Sequence, residues 1–270
     1  LDQLDYLVLD EADEMLNMGF QEDIDNILKY TPEEKVLWLF SATMPKEIRE
    51  IVGTYMEKPF EVKVHSETKT NENIEHTYIY VNKSDKEAAL KRVLDYLTDF
   101  YGVIFCKTKM DTQELAEYLE REGYRAEPLH GDMSQAQRDA VMAKFRSKTT
   151  PILVATDVAA RGIDVDSLTH VVHYSLPENP EYYTHRSGRT ARAGKKGTSL
   201  AIVTPQDQRR IRFFERMLDI EIKHVKVPLQ SQMYNKKIEK WSQKVMNTET
   251  VLLSEDIRNK AHELFANMTK

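Results

Sequence analysis

The sequence predicts an α/β fold in which parallel β-sheets carry helices on both faces. Three observations predict it. Short apolar runs recur along the chain with amphipathic stretches between them. The runs are near-continuously apolar rather than alternating, as strands covered on both faces are. Chemically capable residues follow directly on the runs, at the carboxyl ends of strands, where open α/β sheets bind ligands.

The elements follow in order. Tyr6–Leu9 reads as a buried strand. Asp23–Tyr30 reads as a helix, with Ile24, Ile27 and Leu28 at helical spacing. Val36–Phe40 is a second buried strand and runs into Ser41-Ala42-Thr43. Pro45 suits the start of a helix continuing through Ile48 and Val52. Phe60–Val64 reads as a short strand. Residues 65–76 are polar and aperiodic, and 67–76 are assigned as a linker. The alternation then restarts, with strands at Thr77–Val81, Gly102–Phe105, Ala126–Leu129, Ile152–Ala155, His170–Tyr174 and Ser199–Val203. Helices are expected at Lys86–Leu97, Asp111–Glu122, Gln135–Phe145, 182–192 and Gln206–Leu218.

Past Pro228 the pattern changes. Tyr234, Ile238, Trp241 and Val245 form one a/d-like seam. Ile257, Ala261, Leu264 and Met268 form another, with Ser254 as N-cap. Two such helices normally bury each other. Packing onto the second domain and dimerisation are the other arrangements. The expected organisation is therefore 1–66, the linker, 77–226, and a helical tail over 227–270.

At 270 residues the chain has room for about two domains. No stretch approaches the roughly 20 apolar residues of a membrane span. The single cysteine, Cys106, excludes an internal disulfide and fits a reducing, cytoplasmic setting. The net charge of −6 looks wrong for a nucleic-acid binder, but the charge is unevenly spread. Residues 1–66 hold 15 acids against 6 Lys/Arg. Residues 186–212 carry eight cations (Arg186, Arg189, Arg192, Lys195, Lys196, Arg209, Arg210, Arg212) against one acid, Asp207. A localised phosphate-binding face is compatible with that balance.

Two motifs carry chemistry. His185-Arg186-Ser187-Gly188-Arg189-Thr190-Ala191-Arg192 spaces three arginines by three, which on a helix shares one face. Guanidinium forks suit phosphate, so the face reads as a polyphosphate receptor. A solvated basic helix is the bland alternative. Asp10-Glu11-Ala12-Asp13 follows Tyr6–Leu9, and a strand ending in adjacent carboxylates reads as the magnesium-and-water half of a nucleotide hydrolase. Far apart in sequence, the two read as complementary parts of one phosphoryl-transfer site.

With these residues assembled, the chain resembles the DEAD-box ATP-dependent RNA helicases, most closely the bacterial ones, over about residues 1–226. The matches in order are Val8–Phe20 (VLDEADEMLNMGF), Ser41-Ala42-Thr43, Gly102–Thr108 (GVIFCKT), His130–Asp139 (HGDMSQAQRD), Val154–Asp164 (VATDVAARGID) and His185–Gly194 (HRSGRTARAG). Six signatures in order are far more specific than any one. Ser187 and Ala191 replace the commoner Ile and Gly of the last motif, with little effect expected. No G-x-x-x-x-G-K-[ST] occurs in the chain. The resemblance implies that this phosphate loop precedes Leu1, so the chain reads as the end of one RecA-like domain, a whole second one and a tail.

The resemblance implies ATP and Mg²⁺ as cofactors and RNA, bound without sequence preference, as partner. Asp10 would hold Mg²⁺ and Glu11 the attacking water. Asp13, Ser41, Thr43 and His185 would couple hydrolysis to closure. Arg189 and Arg192 would be arginine fingers. Gly162, Asp164 and Arg186 would contact the nucleotide, with a structural role as the alternative for Arg186. Thr108, Gly131, Arg138 and Thr156 would contact the RNA backbone. The tail would pack intramolecularly or form a homodimer. The complete protein would be an ATP-hydrolysing RNA helicase, and the chain alone, without the loop, would be inactive. A non-enzymatic RNA-binding fragment is the competing reading, and a DNA helicase of the same superfamily a weaker third.

Overall fold

The computed structural model describes residues 3–17, 19–63, 72–97, 99–160, 165, 168–246, 255–256, 259–260 and 263. The chain divides into two compact units, Leu1–His65 and Ser66–Lys270.

In the N-terminal unit, β1 (Tyr6–Leu9) and β2 (Val36–Leu39) run parallel, with Tyr6 opposite Val36 and Leu9 opposite Leu39. Three helices, α1 (Ala12–Asn17), α2 (Gln21–Lys29) and α3 (Lys46–Tyr55), accompany them. Leu9, Ala12, Ile24, Leu28, Ile48 and Ile51 form the core, with Leu7, Leu37 and Leu39 against it. Successive strand side chains alternate between faces. The other face therefore carries Tyr6, Val8, Val36 and Trp38, all exposed. The two strands expected to be buried are buried on one face only. The strand expected at Phe60–Val64 is not formed over 60–63, and Val64 lies outside the described residues. Phe60 is 93% exposed. A strand exists only by pairing, and no described strand lies beside this segment.

The C-terminal unit holds β3 (Ile74–Tyr80), α4 (Lys86–Tyr96), β4 (Gly102–Phe105), α5 (Lys109–Arg121), β5 (Ala126–Leu129), α6 (Gln135–Arg146), β6 (Ile152–Ala155) and α7 (Asp157–Ala160). It continues with β7 (His170–His173), α8 (Pro180–Ser187), β8 (Gly197–Val203), α9 (Gln208–Leu218), β9 (Lys223–His224) and α10 (Gln230–Met246). The seven strands are all parallel, in the order β5-β6-β4-β7-β8-β3-β9. Ile104, Val154, Val172 and Ile202 pack on one face with Leu90 and Val93 of α4 and Leu115 and Leu119 of α5. Val103, Phe105, Leu153 and Val171 pack on the other with Val141 and Phe145 of α6. Beside them Tyr183, Ile211 and Phe214 of α8 and α9 cover Ala201 and Val203.

Two boundaries differ from the sequence pattern. β3 begins at Ile74, inside the segment assigned as linker, because Ile74 and His76 turn into the core while Glu75 faces out. The expected helix over 182–192 ends at Ser187. Beyond it, Thr190 leaves helical geometry to bridge Leu168, its hydroxyl donating to the Leu168 carbonyl. Tertiary pairing has overridden helical spacing.

In the tail, α10 rests on α4: Lys237 Nζ is 2.9 Å from Asp95 and Lys240 Nζ is 2.6 Å from Asp99. Its seam residues Tyr234, Ile238 and Trp241 face outward. The second expected seam, Ile257, Ala261, Leu264 and Met268, with its cap Ser254, lies outside the described residues. Among those residues no helix is long and apolar enough to cross a membrane.

Candidate functional site

The first cluster lies at the carboxyl ends of β1 and β2. The chain leaves β1 at Asp10 and turns through Glu11, whose φ is +51°. For a residue with a Cβ the left-handed region costs about 1–2 kcal/mol, so the turn needs outside support. Support comes from β2's exit. The Ala12 amide donates to the Phe40 carbonyl at 3.1 Å. Buried Asp13 accepts at Oδ2 from the Thr43 amide at 2.8 Å and the Thr43 hydroxyl at 2.6 Å. The Asp13 amide donates to Ser41 Oγ at 3.3 Å, and that hydroxyl donates to the Thr43 carbonyl at 2.5 Å. Burial pushes the Asp13 carboxyl upward, but the bonds from Thr43, Ser41 and the Ala42 amide outweigh it and hold the group below its ordinary value. Asp10 and Glu11 are left exposed, with Asp10 Oδ1 accepting the Glu11 amide at 2.9 Å. Five of the expected site residues are thus gathered on one turn and its clamp. His185 belongs to the other unit and is exposed there.

The second cluster lies at the carboxyl ends of three adjacent strands. Thr108 follows β4, Gly131 follows β5 and Thr156 follows β6. Thr108 caps α5 reciprocally: its side chain accepts the Asp111 amide at 3.0 Å, and its own amide donates to Asp111 at 3.2 Å. Lys109 Nζ reaches Asp132 at 2.5 Å and ties the β4 exit to the β5 exit. The Thr156 amide donates to the Leu129 carbonyl at 3.3 Å. Arg138 on α6 donates to the Ala159 carbonyl at 3.2 Å, fixing α6 to α7. The exposed Thr108 and Gly131, with the half-buried Thr156 and Arg138, line a strand-end edge whose hydroxyls, amides and guanidinium suit phosphate oxygens.

The third cluster corrects the picture of three arginines on one face. Only Arg186 lies within α8, and its side chain points inward, 4% exposed. Its Nε and Nη2 grip both carboxylate oxygens of Asp157 at 2.5 and 2.7 Å, and Nη1 donates to the Ser175 carbonyl at 2.7 Å. The guanidinium lies 5.0 Å from the Phe105 ring centroid. Arg186 thereby joins the exits of β6 and β7 across the end of β4. Arg189 and Arg192 lie beyond the helix, half-buried, in a turn where Ala191 has φ +57°. That turn sits on Gly197, where an added Cβ would fall 2.1 Å from Thr190 Oγ1.

Under α8 lies a polar cluster with no counterpart in the sequence reading. Ser187 Oγ is 2.8 Å from Ser199 Oγ, which is 3.0 Å from His173 Nε2. The His173 ring stacks on Tyr183, whose hydroxyl is 3.0 Å from His76 Nδ1. Burial, with the Arg186 charge and then His76 adding to it, holds His173 neutral, well below its ordinary value.

Comparison with known proteins gives this geometry a family. The family model described as DEAD/DEAH box helicase matches residues 1–51, and that described as helicase conserved C-terminal domain matches 85–194. The DEAD-box ATP-dependent RNA helicase CshA of Geobacillus kaustophilus is 46% identical over 228 residues, 84% of this chain and 49% of CshA. S. cerevisiae Dbp5 bound to RNA and ADP BeF3 superposes with a TM-score of 0.76 at 30% identity, over 89% of this chain and 64% of that one. The C-terminal domain of the DEAD-box protein Dbp5 matches at 31% identity with a TM-score of 0.55, over 63% of this chain and 98% of that domain. The chain belongs to the DEAD-box helicase family. It spans about half the length of the CshA relative it matches.

Within the family pattern, the geometry gives the two departures in the last motif more weight than expected. Ser187 is part of the buried hydroxyl cluster, and Ala191 holds a left-handed turn that glycine adopts without strain. Of the expected nucleotide contacts, Gly162 and Asp164 lie outside the described residues. Sequence reasoning missed the pairing of Asp157 and Ser175 with Arg186. No local pattern signals it, because the partners come from different strand exits. His173 and Ser199 were hidden inside apolar strand runs.

Proposed function

We propose that this chain supplies the hydrolysis turn and the complete second domain of an ATP-driven helicase that opens or remodels RNA. The observation that carries the reading is the acidic turn, with Asp10 and Glu11 exposed while the Asp13–Thr43 clamp fixes the backbone beneath them. Mg²⁺ takes one or two protein carboxylates together with substrate phosphates, which fits an exposed pair with no larger ligand cluster among the described residues. Asp10 would hold the ion, and the ion would neutralise phosphate charge when ATP is bound. Glu11 would orient the attacking water and take its proton.

Arg189 and Arg192 would meet the terminal phosphate as fingers, worth about 10³–10⁵ in rate in related phosphoryl transfers. Gly162 and Asp164 would face the ribose, and Arg186 would serve the nucleotide through its grip on Asp157. His185 would answer Asp13, Ser41 and Thr43 on closure. Thr108, Gly131, Arg138 and Thr156 would hold RNA by its phosphates, so binding would be independent of sequence. The names of the relatives support ATP and RNA as ligands, as does the RNA and ADP BeF3 bound to Dbp5. The outward seam of α10 supports self-association as a further property of the tail; sedimentation showing a monomer at all concentrations would end that part.

The test is Glu11→Gln in the complete protein. It keeps the shape and removes the group that handles the proton. ATP turnover should vanish while ATP-dependent RNA binding persists. Loss of both together would make Glu11 a binding residue and remove the proposed role.

A further inference from the structure

Of the eight cations between 186 and 212, Lys195, Lys196, Arg209, Arg210 and Arg212 lie outside the motif, and the three arginines belong to α9. Arg210 is a fastener, donating to the Pro177 and Leu176 carbonyls and pairing with Asp207 at 3.4 Å. Arg209 and Arg212 belong to the outer face of the helix. Ile211 and Phe214 are buried and fix the helix's orientation. Its outward positions are Gln208, Arg209, Arg212, Phe213, Arg216 and Met217, which comprise three cations and no acid. The acid of the helix, Glu215, is turned aside to accept the Ile222 amide at 3.0 Å. Among the described residues no ion pair neutralises Arg209, Arg212 or Arg216.

The stripe from Arg209 to Arg216 runs about 10 Å at helical rise. Arg216 lies 5.9 Å from the Phe213 ring centroid. Beside the stripe, at the β3–β9 edge, Tyr78, Tyr80 and His224 form a triangular cluster of rings with centroids 5.0 to 5.3 Å apart. The two tyrosines are half-exposed, and His224 and its neighbour Lys223 are exposed. A helix face that is merely solvated gains from mixed signs at i,i+4; this one accepts mutual repulsion instead. Guanidinium groups beside the exposed rings of Phe213 and His224, with Tyr78 and Tyr80 half-buried behind them against the α9 core, suit phosphates and stacked bases together. An acidic protein segment would answer the charge but leave the rings unused.

We propose that the outward face of α9, with Tyr78, Tyr80 and His224, is a second binding surface for single-stranded RNA. It lies apart from the strand-end site, since β3 is three strands from β4, about 14 Å across the sheet. The proposal rests on the RNA reading above.

The experiment uses the 270-residue chain and a labelled oligo-uridine, with binding followed by fluorescence anisotropy over a salt series. The triple variant Arg209→Gln, Arg212→Gln, Arg216→Gln should weaken binding about tenfold or more. It should flatten the log–log salt dependence by about 2, three phosphates at about 0.7 each for single strands. Phe213→Ala should weaken binding with the salt dependence unchanged. The thermal midpoint should hold in every variant, because all four residues face outward. Unchanged binding in the triple variant, with loss in Arg138→Glu, would overturn the second surface and leave the strand-end reading standing. Polyglutamate competing as well as RNA at equal charge would overturn it in favour of a protein partner. No RNA binding by the unaltered chain would overturn both readings.

Discussion

The N-terminal and C-terminal sheets are written in the same sequence style and end up in opposite circumstances. Both are parallel and both use continuous apolar runs. In the C-terminal unit, Ile104 and Val103 face opposite sides of the sheet and both are fully buried. In the N-terminal unit Leu9 is buried, while Val8 beside it is 56% exposed and Trp38 on the neighbouring strand 52%. A continuous apolar run reports what a strand requires of its surroundings, namely cover on two faces. It does not report which helices supply the cover. Helices α4 to α9 supply both layers for one sheet; α1 to α3 supply one layer for the other.

The largest expected effect tests how the covered unit is fastened at its functional end. Arg186→Ala leaves the Asp157 carboxylate without its bidentate partner and opens a hole over Phe105. Breaking a fully buried pair from one side costs about 3–5 kcal/mol; the Asp157 side chain left behind is 29% exposed, so water offsets part of that and the loss should fall at the lower end. Denaturant unfolding of the C-terminal unit should show a loss of that order. A loss under about 1 kcal/mol would mean the pair is loose in solution, and Arg186 would again be available as a direct nucleotide contact.

The comparison itself is sharpened by truncating both sheets alike. Ile104→Ala removes a fully buried side chain and should cost about 2–5 kcal/mol. Val8→Ala trims an exposed one and should stay within about 0.5 kcal/mol. Equal costs in the 270-residue chain would show that the outer face of β1 is covered in solution, and the contrast between the units would collapse.

How much was legible follows the same division. The strands of the C-terminal unit were readable because each apolar run is covered on both faces by helices of the same unit. The carboxyl-end positions of Asp10, Thr108, Gly131 and Thr156 were readable for the same reason, since topology carries them there. The helix over 182–192 was misread because Thr190 gains more by pairing with Leu168 than by continuing the helix. The inward turn of Arg186 was illegible, because its partners Asp157 and Ser175 arrive from other strands and no spacing encodes a meeting of three exits. The strand at Phe60 failed for lack of a pairing neighbour, which a one-dimensional pattern does not contain.

A smaller effect than that of Arg186→Ala probes the exposed unit at its best-defined point. Asp13 is held by Thr43 through two bonds, and Thr43→Val removes the hydroxyl one while keeping the amide one. A hydrogen bond to a charged group is worth about 1.5–3 kcal/mol, so the N-terminal unit should lose about that much near neutral pH. The pH dependence separates this bond from simple packing. The Asp13 carboxyl sits below its ordinary value of 3.8 when folded. Its contribution is therefore fully present above that value and is lost as pH falls through the lowered one. The stability gap between Thr43→Val and the unaltered chain should be constant above about pH 5, on the usual width of such titrations. It should close as the medium is acidified further. Carboxyl titration by NMR should show Asp13 moving upward in the variant, since burial is then opposed by fewer bonds. A gap that stays the same down to the acid limit would mean the threonine matters for shape alone, and the clamp under Asp10 and Glu11 would be steric rather than electrostatic.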